Sequence, residues 1–155
     1  MKRLILTASI TVISILAMTA CGGADPEKEA QTWLNRAQTM ADKGDFDNAM
    51  AAIDSLRKKC PEAKEARKVA LKLYQQVNLK AAQKTVEEAD KALQTVNAEY
   101  EKMRAAVNEL KAKGVATGEQ FTNLTLMRMK RDSLRTVFDV ECAKIKYIKT
   151  KMKEL

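Results

Sequence analysis

Side chains that commonly carry chemistry are few in this sequence, and they are scattered. The chain has no histidine, which removes the commonest general base and the commonest metal ligand. Its thiols are Cys21, Cys60 and Cys142, and no Cys-x-x-Cys pair occurs. No glycine-rich loop and no convergent set of acids suggests a reaction centre, so an enzyme is not expected and no cofactor or metal is assigned. Met40, Met50, Met103, Met127, Met129 and Met152 fall at helical spacing and read as core filler rather than ligands.

Charge narrows the partners. The formal net charge is +8, to which Lys2 and Arg3 contribute. Without those two the chain carries 26 basic and 20 acidic residues, a net +6. The excess is mild and spread out, and no aromatics alternate with the cations, so nucleic acid is not expected as a partner. Lys144, Lys146, Lys149, Lys151 and Lys153 form the densest basic run. It suits the solvated end of a helix, as charge runs usually do, ahead of the sharper alternative of contact with an anionic membrane.

The first residues read as an address. Met1-Lys2-Arg3 is basic, Leu4 to Ala20 carries no charge, and small residues come next. That order is the pattern of an export signal, and the uncharged run also fits a membrane anchor. Leu16 and Met18-Thr19-Ala20-Cys21 resemble the lipobox of bacterial lipoproteins. The resemblance implies a signal peptide over 1–20, cleavage before Cys21, and lipidation of Cys21. Residues 21–25 then form the lipidated cysteine and a short linker. Gly22, where enteric inner-membrane lipoproteins carry Asp, implies the outer membrane facing the periplasm. A tether of Gly22-Gly23-Ala24 keeps the next element within about 15 Å of the bilayer, at no more than ~3.5 Å per residue.

Two short helices are expected over 26–60. Asp25-Pro26 is a cap followed by a first-turn proline, and Glu27 and Glu29 suit the positive end of the dipole. Gly44 ends this helix and Asp45 caps the next. Trp33, Ala37, Met40 and Ala41 supply one apolar face, and Phe46, Ala49, Met50, Ile53 and Leu56 the other. Trp33, Gly44, Ala49 and Pro61 together resemble one tetratricopeptide repeat. On that resemblance Trp33 is the leading aromatic, Ala49 the small residue at the helix crossing and Pro61 the closing proline. A generic helical hairpin accounts for the same residues. One such unit cannot bury a continuous core alone. It must therefore pack on the next stretch of chain, with Ala66, Val69, Ala70, Leu73 and Val77 as the matching face.

The rest, 61–155, reads as a long helical hairpin: a helix over 61–112, a turn at 113–118 and a helix over 119–154. Ala82, Val86, Ala89, Leu93, Val96, Tyr100, Met103, Val107 and Leu110 recur at alternating steps of four and three, the spacing of a coiled-coil seam. Leu124, Met127, Arg131, Leu134, Phe138, Glu141, Ile145, Ile148, Met152 and Leu155 continue it after the turn. Thr117 and Gln120 form a capping-box pattern. Aligning Leu110 with Leu124 and Ala82 with Met152 places Arg135 against Glu99. It also sets Lys144, Lys149 and Lys151 beside Glu87, Glu88 and Asp90. This register keeps Cys60 and Cys142 far apart, so the thiols are expected free or bridged between molecules. Arg131 and Glu141 interrupt the seam, either snorkelling outward or marking a docking place.

The fold class expected is therefore all-α. A short repeat-like hairpin is joined to a long antiparallel coiled-coil hairpin. The function expected is a lipid-anchored interaction module of the bacterial envelope with protein partners. The alternative is a periplasmic holdase, similar to the jellyfish-like envelope chaperones in being basic, exported and built on long helical hairpins.

Overall fold

The computed structural model describes residues 25–154, and the export signal, Cys21 and its tether lie outside them. Four α-helices form: α1 (Pro26–Asp42), α2 (Phe46–Lys59), α3 (Lys64–Ala112) and α4 (Gly118–Lys153). The described residues contain no strand. None of these helices is long and apolar enough to cross a membrane.

Local chemistry sets the helix ends. The Asp25 carboxylate accepts from the Glu27 N–H at 3.1 Å, and Pro26 opens α1. Gly44, at φ 76°, reverses the chain while the Asp45 N–H closes back on the Met40 carbonyl at 2.9 Å. Asp45 then accepts from the Asn48 N–H at 3.4 Å and starts α2. The next helix begins at Lys64, later than the expected 61. Pro61 and Glu62 lie instead in a turn closed by the Ala63 N–H on the Cys60 carbonyl at 3.2 Å. Proline disfavours a helical residue before it, which is why α2 stops at Lys59.

Ala63, the N-cap of α3, has no side chain that can cap. Glu27 supplies the acceptors from α1. Its two carboxylate oxygens take the Glu65 N–H at 3.3 Å and the Ala66 N–H at 3.2 Å. The starts of α1 and α3 are thereby tied together. Glu27→Ala is expected to cost about 1 kcal/mol, the usual loss of a helix cap. Urea unfolding reads the loss, and amide exchange at Glu65 and Ala66 should quicken. Unchanged protection at those two amides would contradict the cap.

The core lies where α1, α2 and the start of α3 meet. Ala30, Leu34, Ala37 and Ala41 meet Ala49, Ala52, Ile53 and Leu56, and Ala66, Ala70, Leu73 and Val77 close the third side. The many alanines let the helix axes approach closely. The two helix starts meet at Glu27, and Leu34 and Gln38 share a recess with Leu73 and Gln76 farther on, so α1 and α3 run in the same direction. Val69, expected in this face, is 54% exposed because the α3 stripe turned to the short hairpin runs through 66, 70, 73 and 77.

Beyond Val77, α3 continues as one arm of a rod. Its 49 residues span roughly 74 Å at ~1.5 Å per residue. Each of the nine seam residues from Ala82 to Leu110 is buried or half-buried, and so is every described seam residue of α4 from Leu124 to Met152. The turn is short. Gly114, at φ 72°, sits where the Val115 N–H returns to the Leu110 carbonyl at 3.0 Å. The Gln120 side chain accepts from the Thr117 N–H at 2.8 Å, and the Thr117 hydroxyl from the Gln120 N–H at 3.3 Å.

Axial register differs from the sequence alignment. Arg131 lies 4.4 Å from the ring of Tyr100, not opposite residue 103. Ile148 shares a recess with Gln75 and Asn78. The end of α4 thus lies roughly one helical turn nearer the short hairpin. The expected ion pairs between the arms are consequently absent among the described residues. Glu87 pairs with Lys91 at 2.6 Å, Glu88 with Lys84 at 4.0 Å, Lys144 with Glu141 at 3.2 Å and Lys151 with Glu154 at 2.7 Å. Every described ion pair runs along a single helix.

Candidate functional site

The register brings the end of α4 alongside the start of α3, opposite α2. A groove forms between them, made of two adjoining recesses of about 410 and 400 Å³ that share Leu71 and Tyr74. Its deepest apolar side chains are Ile53 of α2 and Ile148 of α4, only 1% and 8% exposed. Arg57, Lys64, Arg67, Lys68, Lys144 and Lys151 line it, and no acidic residue does.

Four of these cations have neighbours along their own helices. Arg57 meets Asp54 at 3.6 Å and Lys68 meets Glu65 at 2.8 Å, while Lys144 and Lys151 meet Glu141 and Glu154. Lys64 and Arg67 make no ion pair among the described residues. Arg67 donates to the Pro61 carbonyl at 2.8 Å. The groove is therefore an apolar trough in a positive rim, suited to an elongated anionic amphiphile.

A second surface runs along α4. Leu126, Met129, Val137, Val140 and Tyr147 are 43–64% exposed and recur at helical spacing along one side. Ser133, Thr136 and Ala143 lie among them, so this strip carries little charge. Met129, expected in the core, belongs to this outer strip. It lies two residues past Met127 and so points away from the seam.

The residues singled out by sequence do not converge. Cys21 lies outside the described residues. Trp33 is half-buried, with Lys59 Nζ 4.7 Å and the Arg36 guanidinium 5.5 Å from its ring centroid. Ala49 is fully buried in the core, Gly44 makes the first reversal, and Pro61 sits in the turn before α3. None of the four lines the basic groove. The groove had one legible signal, Lys64, Arg67, Lys68 and Leu71 at helical spacing. The α4 wall depends on the register.

Arg131 is satisfied within the hairpin. It stacks on Tyr100 and donates from Nε and Nη2 to Asp132 Oδ1 at 2.9 and 2.7 Å. Glu141 Oε2 is buried, with Lys144 Nζ 3.2 Å away.

Cys60 and Cys142 are both free. Cys60 is buried, and that burial pushes its thiol above the ordinary range, with the nearby Glu29 charge adding to the effect. A raised thiol pKa means less thiolate at any given pH. At pH 8 an alkylating reagent is expected to modify half-buried Cys142 first and Cys60 only on unfolding. Mass mapping of a time course checks the order. Equal rates would contradict the packing of Cys60.

No protein-family model, curated protein or solved structure matches this chain.

Proposed function

We propose that this protein is a lipid-anchored, all-helical interaction module of the bacterial envelope, without catalytic activity. Its partner docks in the basic groove between α2, α3 and the end of α4. The groove carries this reading, because it joins an apolar floor to a rim of one charge sign. Such a surface recognises a partner and offers no reacting group. The lipobox-like Met18-Thr19-Ala20-Cys21 supports anchoring through Cys21. The link from Glu27 to the start of α3 supports a groove near the anchored end, since α1 begins a few residues after Cys21.

A photo-crosslinking side chain at Lys68 or Lys144, in the full chain expressed in cells, tests this. The expected result is one or a few discrete adducts that are missing when the probe sits at Lys111 near the tip. Equal adducts from all three positions would overturn it.

The exposed strip from Leu126 to Tyr147 favours a second reading, a holdase that shields unfolded envelope proteins. On that reading, probes at Leu126 and Val140 would give a continuous smear of clients. Leu126→Ser with Val140→Ser would abolish suppression of aggregation.

A further inference from the structure

Two recesses that share Leu71 and Tyr74 follow α3, and their length and charge restrict what can cover them. Ile53 and Ile148 close the floor, while Leu71, 46% exposed, and Tyr147, 64% exposed, offer the accessible apolar surface. A strip along one helix suits an elongated partner rather than a broad flat one. The α3 part of the groove runs from Lys64 to Asn78, roughly 21 Å at ~1.5 Å per residue. That is the length of about four helical turns. The trough is parallel to α3, which already packs other helices on its remaining sides. A second copy of this chain is a poor occupant, because its net charge has the same sign as the rim.

From this complementarity we infer that the groove binds an acidic amphipathic helix of a partner protein, about 15 residues long. Its apolar stripe covers Leu71, Tyr74 and Tyr147. Glutamates or aspartates on its flanks meet Lys64 and Arg67 on one side and Lys144 and Lys151 on the other. The mode is a helix laid in a groove, read through anchors one turn apart. The inference rests on the interaction-module reading and specifies the chemistry of its partner.

The test uses the full chain in neutral detergent and a fluorescein-labelled peptide with leucines at seam spacing and glutamates on both flanks. Protein-free micelles serve as the blank. Saturable binding of one peptide per chain is expected, weakening as salt rises. Lys64→Glu with Lys151→Glu should weaken it about tenfold. Lys111→Glu with Lys130→Glu, an equal change of charge elsewhere on the rod, should leave it unchanged. Circular dichroism verifies that both variants stay folded.

Equal binding of a peptide with lysine flanks overturns the inference, as does equal binding of one with the same composition and a broken apolar stripe. Indifference to the groove variant also overturns it. Displacement of the peptide by micellar phosphatidylglycerol, with binding of that lipid lost in the groove variant, overturns it in favour of a lipid surface. Peptide failure alongside discrete adducts at Lys68 would refute the acidic helix and leave the module standing. Loss of both would refute the module.

Discussion

Replacing Leu56 with alanine is expected to unfold the short hairpin while much of the rod persists. Leu56 is fully buried, and the largest other side chains buried to the same degree are Ile53, Val77 and Cys60. Most of the remaining core is alanine, which cannot expand into a cavity. Large-to-small changes at such sites cost about 2–5 kcal/mol, against a total stability of about 5–15 kcal/mol for ordinary domains. Trp33 is the single tryptophan and belongs to α1, so its fluorescence reports this region. In urea, the Trp33 transition should move to much lower denaturant, while a large part of the helical dichroism, carried by α3 and α4, survives to higher concentration. A shift worth less than about 1 kcal/mol, within the range of ordinary surface changes, would contradict the packing described.

The second large effect concerns the anchor. On the lipoprotein reading, Cys21→Ser should move the protein from the membrane fraction to the soluble fraction almost completely. Each buried acyl methylene contributes about 0.8 kcal/mol, so two or more chains hold a protein where one does not. No helix among the described residues is able to span a membrane in place of the lipid. Fractionation after a carbonate wash reads the outcome. Retention of the serine variant in the washed membrane would contradict lipidation at Cys21 as the anchor.

What was legible in the sequence is instructive by position. The seams were legible residue by residue, since burying one helix face against another requires apolar side chains every three or four positions. Ala82 to Leu110 and Leu124 to Met152 all fall at the contact. Their axial alignment was not legible. A heptad pattern slid by one heptad presents the same faces, so the seam alone does not fix how far one arm lies along the other. Aligning Leu110 with Leu124 allowed too long a turn. Gly114 and the Thr117 capping box reverse the chain within a few residues, which draws α4 toward the short hairpin. Glu27 as the cap of α3 was hidden for a related reason. Helix caps are normally sought within a few residues, and this one comes from 38 positions away. The groove combines both effects: its α3 cations are local in sequence, but its α4 wall exists only in the observed register.

That register is therefore the feature to measure. Spin labels at Gln75 and Lys151, on opposite walls of the groove, can be read by pulsed electron resonance in the full chain diluted with unlabelled protein. Neighbouring helix axes lie ~10 Å apart, so with the label arms a single narrow distance on the order of 20 Å is expected. It should not change on dilution. In the alignment read from sequence alone, Lys151 lies level with residue 83, about one helical turn, ~5 Å, farther along α3 than the Arg131–Tyr100 contact sets it. A distance lengthened accordingly, or one that disappears on dilution, would mean that this groove is not built from the chain's own returning helix.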